Sequence, residues 1–463
     1  MVRLLLDSMR FVRVAPHSTA EPALALDYKT EGPSAVAPAG ACAPRVDACV
    51  ARCRELLSDR GRAPGSHLAH DVLVDYRSLD AFGRSLLFDA LAQEFAVAPD
   101  LLCRAASRYL RNPSDPHLLQ LRRTTEAPRQ ELFRRLNAGR GGTALLVDMR
   151  RRLLDGLESR PNWAMVEADL REVLTSLFNR GLLEFHQIDC ETPSSILEKL
   201  FEHEAVHPIR DWNDLRRRLE ADRRCYALFH PAWPEEPLIF AEVALTRRIS
   251  TSLEPLLNPD APVVDPDACR CAIFYSISNC QPGLRGFEFG NTLIGRAIEA
   301  LRMQMPWLTT FATLSPIPGF RTWLSQLVSQ SSGGSGRMAD VLSRIAPPGW
   351  HKDPRTVGKL KSTLLPLCVS YLLHVKLGNE PADPVARFHL ANGARLQRVN
   401  WCSDTSPRGL ERSFGLTANY VYHPERLPQN CEAYRTAGRV DATRKLERLS
   451  NYVRLPLLPS ALR

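Results

Sequence analysis

The chain has 463 residues, of which 44% are hydrophobic and 24% are charged, so its length favours two domains and its composition is globular. This composition excludes a chain that is disordered throughout, and no apolar run approaches the length of a membrane span. The formal charge of +9 fits a nucleic acid, an anionic surface or a phosphorylated small molecule. No block of Lys and Arg alternates with aromatic residues, so we expect no nucleic acid among its partners.

The cysteines and the termini bear on the compartment. The twelve cysteines contain no C-x-x-C pair and no repeated spacing, which argues against a zinc cluster and indicates a reducing compartment. The apolar stretch at 4–6 is too short for a signal peptide, and Asp7 follows it at once. Arginines near the start leave a mitochondrial presequence open, although Asp7 and Glu21 disfavour it. Residues 461–463 are not a peroxisomal signal, so we expect a cytoplasmic protein.

The first part of the chain is predicted to be helical. Residues 1–43 are rich in Ala and Pro without periodicity, which predicts a flexible N-terminal arm. From 44 to 182, apolar residues recur at helical spacing and no hairpin signal interrupts them. The clearest helical segments are 46–57, 79–91, 132–136, 144–157 and 166–178. We therefore expect an all-helical N-terminal domain over 44–182.

From 183 to 463 the pattern changes to a mixture of strands and helices, which predicts an α+β chain with a mixed α/β second domain. A helix from Asn291 to about Gln304 lies between the last two predicted strands, and Pro306 follows its end. Residues 325–340, rich in Ser, Gly and Gln, predict an exposed loop. The predicted strands are 225–230, 238–245, 272–278 and 308–314.

The loop before this helix is a candidate phosphate site. Glycines at 283, 286 and 290 allow positive φ angles and close approach of the backbone to a ligand. The amides and the dipole at the start of the helix then favour an anion such as a pyrophosphate. The loop has neither the Lys-Ser/Thr of a Walker P-loop nor the spacing of a dinucleotide-binding fold, so a plain turn stays open.

Two further residues are candidates for chemistry. Ser315 follows a predicted strand and precedes a proline, which holds it in an extended conformation at the strand's carboxyl end. His389 lies in the segment 385–394, which we interpret as a strand that leads into an Asn-Gly turn. A rigid turn at Ser315 and a structural role for His389 are the alternatives on these observations.

The segment from His203 to His207 matches the H-E-x-x-H pattern of zinc proteases. Pro208 follows directly and disfavours helical dihedrals at His207, which spoils the geometry that two zinc ligands on one helix face need. No third ligand follows at a suitable distance. We therefore predict that no metal binds here.

Taken together, these segments resemble the malonyl-CoA decarboxylase family from about residue 70 to 425. The Ser-Pro-Ile-Pro-Gly-Phe segment at 315–320 is the most specific of them. The segments that carry the resemblance are 204–208 (Glu-Ala-Val-His-Pro), 224–226 (Arg-Cys-Tyr), 243–246 (Val-Ala-Leu-Thr), 273–278 (Ile-Phe-Tyr-Ser-Ile-Ser), 314–320 (Leu-Ser-Pro-Ile-Pro-Gly-Phe), 388–390 (Phe-His-Leu), 392–394 (Asn-Gly-Ala) and 418–420 (Ala-Asn-Tyr).

The resemblance implies a helical N-terminal domain that mediates self-association, as a dimer or tetramer, and a catalytic domain similar to the GNAT acetyltransferases. By position, Ser315 and His389 match the family's catalytic pair. Glu288 stands where acetyltransferases commonly have a glycine, which fits the decarboxylase branch. The residues implied in binding the CoA pyrophosphate are Arg285, Gly286, Phe287, Glu288, Phe289, Gly290 and Asn291.

The implied reaction is loss of CO2 from malonyl-CoA, which leaves a thioester enolate that must be protonated at C2. The thioester is itself the electron sink, so we expect neither a metal nor an organic cofactor. Which of Ser315 and His389 contacts C2 stays open. The alternatives are an acyl-CoA-dependent N-acyltransferase and a CoA-binding protein without turnover.

Overall fold

The computed structural model describes residues 43–62, 67–330, 343, 345 and 349–451. The predicted flexible arm lies outside the described residues except for Ala43, which begins the first helix. In the part of the chain that is described, no helix is long and apolar enough to cross a membrane.

The first part of the described chain is a bundle of eight α-helices, as the sequence predicted. Local signals set their starts: Asp80 accepts a hydrogen bond from the amide of Gly83, and three of the helices have a proline in their first turn. The helices are α1 Ala43–Leu57, α2 Leu68–Ser78, α3 Ala81–Gln93, α4 Pro99–Arg111, α5 Asp115–Thr125, α6 Pro128–Asn137, α7 Gly142–Gly156 and α8 Ala164–Leu177.

A mixed sheet dominates the second part. Its strand order is β1-β2-β3-β4-β5-β10-β6, with β9 paired to β10. The pair β4–β5 is parallel and every other pair in this sheet is antiparallel. The strands are β1 Glu184–Ile188, β2 Arg223–Phe229, β3 Ile239–Thr246, β4 Cys271–Asn279, β5 Thr310–Thr313, β6 Ser315–Pro316, β7 Lys376–Leu377, β8 Glu380–Pro381, β9 Arg395–Asn400 and β10 Thr417–Tyr422, of which β7 and β8 form a separate hairpin.

Helices cover both faces of this sheet. Leu293, Ala297 and Leu301 of the helix Phe289–Gln304 (α12) are fully buried in a hydrophobic core that also contains residues of the helical bundle, so the bundle and the sheet share one core. The mixed α/β character predicted for this part is confirmed. The remaining described helices are α9 Ser194–His203, α10 Trp212–Arg218, α11 Glu254–Leu257, α12 Phe289–Gln304, α13 Phe320–Gln330, α14 Pro354–His374, α15 Pro384–Ala391, α16 Pro407–Ser413, α17 Leu427–Ala437 and α18 Arg444–Ser450.

Three local predictions differ from the structure. The strand predicted at 385–394 is wrong, because Asp383 and Pro384 begin α15 there and His389 is helical. Helix α12 begins at Phe289, two residues before the predicted start. Residues 325–330 of the predicted loop belong to α13, and 331–340 lie outside the described residues.

Candidate active site

Strands β4 and β10 fix the position of Ser315. The amide of Leu314 donates to the carbonyl of Phe274 in β4 at 3.0 Å, which holds the chain against the sheet after β5 ends. Ser315 and Pro316 then form β6 and pair with Ala418 and Thr417 of β10. The serine is therefore held extended, as its position before a proline predicted, and only 5% of it is exposed.

Helix α15 brings His389 to this serine. The imidazole Nε2 of His389 lies 2.9 Å from Oγ of Ser315, although the residues are 74 positions apart. The other ring nitrogen, Nδ1, lies 2.8 Å from the hydroxyl of Tyr422. The ring of Tyr420 stacks on the imidazole, with centroids 4.7 Å apart. The structure thus brings together the two residues that the sequence singled out and adds two tyrosines of β10.

Burial controls the charge of this site. It lowers the pKa of His389 to about 3, so the imidazole is neutral at neutral pH. The hydroxyl of Ser315 donates to Oγ1 of Thr313 at 2.9 Å. In that arrangement Nε2–H of His389 donates to Ser315, and Nδ1 accepts the hydroxyl proton of Tyr422. The result is a neutral hydrogen-bonded chain from Tyr422 to Thr313.

The candidate phosphate loop is held in place by the helical bundle. Arg150 of α7 donates to the carbonyl of Gly283 at 2.6 Å and to that of Arg285 at 2.9 Å. Its guanidinium also lies over the ring of Phe287, 5.3 Å from the centroid. Gly286 has a φ of +90°, a conformation that other residues rarely adopt. The turn that precedes α12 therefore depends both on a glycine and on a buried arginine from another part of the chain.

The seven loop residues named by the sequence divide into two groups. Arg285, Gly286 and Glu288 are exposed, Phe287 and Asn291 are half-buried, and Phe289 and Gly290 are buried. A ligand can reach the three exposed residues, whereas the two buried residues pack against protein. The N-cap residue Glu288 makes no side-chain capping hydrogen bond, and its carboxylate instead pairs with Arg180 at 2.9 Å.

Gly290 links the loop to the helix of His389. A Cβ atom at Gly290 would lie 2.2 Å from the ring of Phe388, the residue next to His389. The glycine therefore allows α15 to pack against the start of α12. The sequence predicted that a ligand would approach the backbone closely at Gly290, but in the structure the ring of Phe388 does so. The loop is therefore next to the Ser315–His389 pair.

The H-E-x-x-H segment has a different structure from that of a zinc protease. His203 is the last residue of α9, and His207 lies beyond the helix. The carboxylate of Glu204 accepts hydrogen bonds from the amides of Val206 and His207 and from Oγ of Ser276, at 2.8, 2.7 and 2.8 Å. Glu204 thus ties the end of α9 to β4. Among the described residues no group of three or more His, Cys, Asp or Glu side chains is arranged to hold a metal ion.

A cavity of about 660 Å³ lies elsewhere, between α10, α16 and the sheet. Pro316 contributes to its wall, together with Arg408 and Arg412, but neither Ser315 nor His389 does. Ser315 and Pro316 are adjacent in a strand, so their side chains point to opposite faces of the sheet. The cavity is therefore on the far side of β6 from the serine–histidine pair.

The comparisons with known proteins decide the family. The model of the malonyl-CoA decarboxylase C-terminal domain matches residues 181–456, and that of the N-terminal domain matches residues 95–178. The mitochondrial malonyl-CoA decarboxylase of Anser anser anser is 34% identical over 423 residues, 84% of each chain. This chain belongs to the malonyl-CoA decarboxylase family. The mitochondrial enzyme of Rattus norvegicus is 32% identical over 425 residues, which cover 84% of this chain and 86% of that protein.

Solved structures of the family have the same fold. The malonyl-CoA decarboxylase of Rhodopseudomonas palustris is 40% identical and superposes with a TM-score of 0.82, covering 87% of this chain and 99% of its own. That of Agrobacterium vitis is also 40% identical, with a TM-score of 0.83 over the same shares of the two chains. The helical bundle and the mixed sheet are therefore the architecture of the family.

Sequence reasoning missed three residues of the site. Thr313 and Tyr422 extend the hydrogen-bonded chain at its two ends, and Asp383 caps the helix of His389. No local sequence pattern indicates Tyr422, because its hydrogen-bond partner His389 lies 33 positions away. The Asp-Pro pair at 383–384 is an ordinary helix-start signal, which the apparent alternation at 385–394 obscured.

Proposed function

We propose that this chain converts malonyl-CoA to acetyl-CoA and CO2, with Ser315 and His389 as its catalytic residues. The observation that carries the proposal is the hydrogen bond of 2.9 Å between these two side chains in a nearly closed site of a malonyl-CoA decarboxylase fold. Similarity over 84% of the chain to enzymes with this name supports the substrate and the reaction.

Decarboxylation needs orientation more than it needs a reactive cofactor. The bond from C2 to the carboxylate must stand perpendicular to the thioester plane, so that its electrons pass into the thioester carbonyl as CO2 leaves. The thioester holds the resulting negative charge as an enolate. A nearly dry site with fixed hydroxyl and imidazole donors stabilises that oxyanion better than water does. Proton transfer to C2 then completes acetyl-CoA.

Because its imidazole is neutral, we propose that His389 has a different role from that of Ser315. With a pKa of about 3, His389 does not act as a cationic acid at neutral pH. The hydroxyl of Ser315 turns from Thr313 to C2 and gives its proton to C2. Nε2–H of His389, held by Tyr422, stabilises the serine oxygen until a proton from water restores the hydroxyl. One proton from water enters per turnover and replaces the one that C2 gains.

We propose that the pyrophosphate of CoA binds at the exposed part of the loop, Arg285, Gly286 and Glu288, and at the start of α12. The positive charge of Arg285 and the unpaired amides of the first helical turn suit an anion. Phe287, Phe289, Gly290 and Asn291 shape this site from within the fold, and Gly290 keeps it against α15.

One assay separates the three candidate activities. Incubation of the purified chain with malonyl-CoA alone should release acetyl-CoA and CO2 in equal amounts. Formation of product only after an amine acceptor is added would indicate an N-acyltransferase instead. Binding of malonyl-CoA without any product would indicate a protein that only binds CoA esters.

We also propose that 44–182 forms an oligomerisation domain and 183–463 the catalytic domain. No residue of α5 is buried, and Ala105 is the one buried residue of α4, although the two helices pack against each other. Leu101, Leu110, Leu118 and Leu119 on these helices are each at least 40% exposed. A hairpin of helices with so much apolar surface fits a contact with a second copy of the chain.

The cytoplasmic location stays a prediction. The N-terminal segment on which it depends lies outside the described residues. The curated relatives from goose and rat carry the word mitochondrial in their names. Imaging of a tagged full-length chain would test the location.

A further inference from the structure

The carboxylate of Asp383 connects the two segments that carry the catalytic pair. Its Oδ1 accepts hydrogen bonds from the amides of Val385 and Ala386, both at 3.0 Å, and so caps α15. Its Oδ2 accepts from the amide of Gly319 at 3.1 Å. Gly319 lies four residues after Ser315, and Asp383 lies six residues before His389. One buried side chain therefore joins both segments.

The segment that holds Ser315 has few backbone N–H groups that can donate a hydrogen bond. Pro316 and Pro318 have no amide hydrogen, so the amide of Gly319 is the donor that follows the two prolines. A Cβ atom at Gly319 would lie 2.2 Å from the hydroxyl of Tyr371. Only a glycine therefore lets this backbone come so close to α14 and reach the carboxylate of Asp383.

An ordinary helix cap does not account for this arrangement. A cap needs one acceptor oxygen, which Ser, Thr, Asn and Asp all supply. Asp211, for example, caps α10 with Oδ1 alone. Asp383 is 1% exposed, and burial raises its pKa to about 6, against the opposing effect of its three amide donors. At neutral pH it is ionised, and both of its oxygens accept hydrogen bonds.

We propose that Asp383 is a positioning residue for decarboxylation, which sets the distance between Ser315 and His389 by holding Gly319 and α15 on its two carboxylate oxygens. This inference rests on the proposed role of the serine–histidine pair. A buried carboxylate carries a desolvation cost, and a second acceptor oxygen is what it offers over a neutral cap. Displacement of reacting groups by about 1 Å costs on the order of 10²-fold in rate.

The substitution Asp383→Asn separates the cap from the connection to Gly319. Asparagine caps helices about as well as aspartate, but it has a single acceptor oxygen. With that oxygen on the amides of α15, its NH2 group faces the amide of Gly319, and the connection is lost. We expect kcat to fall about 10-fold to 10²-fold, while KM for malonyl-CoA stays within about 3-fold, because the CoA loop is unchanged.

Two further variants keep the test decisive. Asp383→Ser caps α15 without a group that opposes the amide of Gly319, so it serves if the asparagine variant does not fold. Asp211→Asn is the matched control, because the cap of α10 uses only one oxygen. It should leave kcat unchanged. Circular dichroism and thermal melting establish that each variant is folded before its kinetics are compared.

A double-mutant cycle distinguishes positioning from a general loss of structure. If Asp383 acts through the pair, Asp383→Asn should add almost nothing to the loss in a His389→Ala background. An equal loss in both backgrounds, or a kcat within about 2-fold of the wild type for folded Asp383→Asn and Asp383→Ser, would overturn this inference. Near-normal turnover of His389→Ala would instead overturn the proposed function, whatever Asp383→Asn does.

Discussion

Oγ of Ser315 lies 2.9 Å from Nε2 of His389, although a sheet edge carries the serine and a helix 74 residues later carries the histidine. The two residues are 5% and 4% exposed. Among the described residues, Thr313 is the other side-chain hydrogen-bond partner of the serine and Tyr422 that of the histidine. A polar pair of this kind is costly to bury unless its hydrogen bonds are satisfied. The hydrogen bonds of this pair are satisfied, and it lies beside the loop 285–291 that we propose to bind CoA.

The first prediction concerns this pair. Ser315→Ala and His389→Ala should each lower kcat by about 10²-fold to 10⁴-fold, the usual contribution of a group that takes part in proton transfer. The double variant should be little worse than the poorer single variant, because the two groups act as one unit. Binding of CoA, measured by calorimetry, should persist. Losses that multiply in the double variant would show that the residues act independently.

The second prediction concerns Tyr422. Tyr422→Phe removes the hydroxyl that lies 2.8 Å from Nδ1 of His389 but keeps the ring. One hydrogen bond of about 0.5–1.5 kcal/mol is lost, so kcat should fall by a few-fold to about 10-fold. The buried Tyr226 in β2 is a control, because its hydroxyl has no hydrogen-bond partner among the described residues. Tyr226→Phe should leave steady-state kinetics unchanged. Equal kinetics for the two variants would remove Tyr422 from the site.

The third prediction concerns the loop 285–291, which we propose binds the pyrophosphate of CoA. Gly286→Ala forces an alanine to adopt a φ of +90°, at a cost of about 1–3 kcal/mol. The loop should lose its shape, and KM for malonyl-CoA should rise several-fold with a smaller change in kcat. Gly295→Ala is the matched control, since a Cβ atom in that turn of α12 would meet no atom within 4 Å. If both variants show wild-type KM, the pyrophosphate binds elsewhere.

The fourth prediction concerns stability at acidic pH. His389 has a pKa of about 3 in the folded chain, below its ordinary value of 6.5, because it is buried. Below pH 6.5 the unfolded chain takes up a proton that the folded chain excludes, so stability falls with pH. Relative to His389→Gln, the wild type should lose about 1.4 kcal/mol of unfolding free energy per pH unit well below 6.5. Urea titrations at pH 7, 6 and 5 measure this difference. A constant difference would show that the imidazole is not held neutral.

The fifth prediction concerns assembly. Light scattering on the purified chain should give a dimer or a tetramer at micromolar concentration. Leu110→Asp, at a side chain that is 77% exposed on α4, should weaken that assembly. Leu377→Asp, at a leucine that is 47% exposed in the β7–β8 hairpin, should not. A monomeric wild type would contradict the role proposed for the helical domain.

The sequence by itself determined the parts of this protein that depend on local pattern. Apolar periodicity located α1, α3, α6, α7 and α8 of the bundle but not α2, α4 and α5, and runs of β-formers located strands β2 to β5 to within two or three residues. Pro316 predicted the extended conformation of Ser315, because proline restricts the residue before it whatever the surrounding fold, and the resemblance to the family implied its catalytic role. Glycines at 283, 286 and 290 marked the loop before α12, and Gly286 does have a positive φ.

Only the tertiary structure decided what these parts do together. The apolar neighbours Phe388 and Leu390 predict a strand at His389, whereas the Asp383 carboxylate and Pro384 begin a helix there. Gly290 accommodates the ring of Phe388, and Arg150 holds the loop from 133 positions away. Such contacts join residues that are distant in sequence, so local sequence patterns do not predict them. The neutral state of His389 has the same origin, since its pKa depends on the burial that the folded chain creates around it.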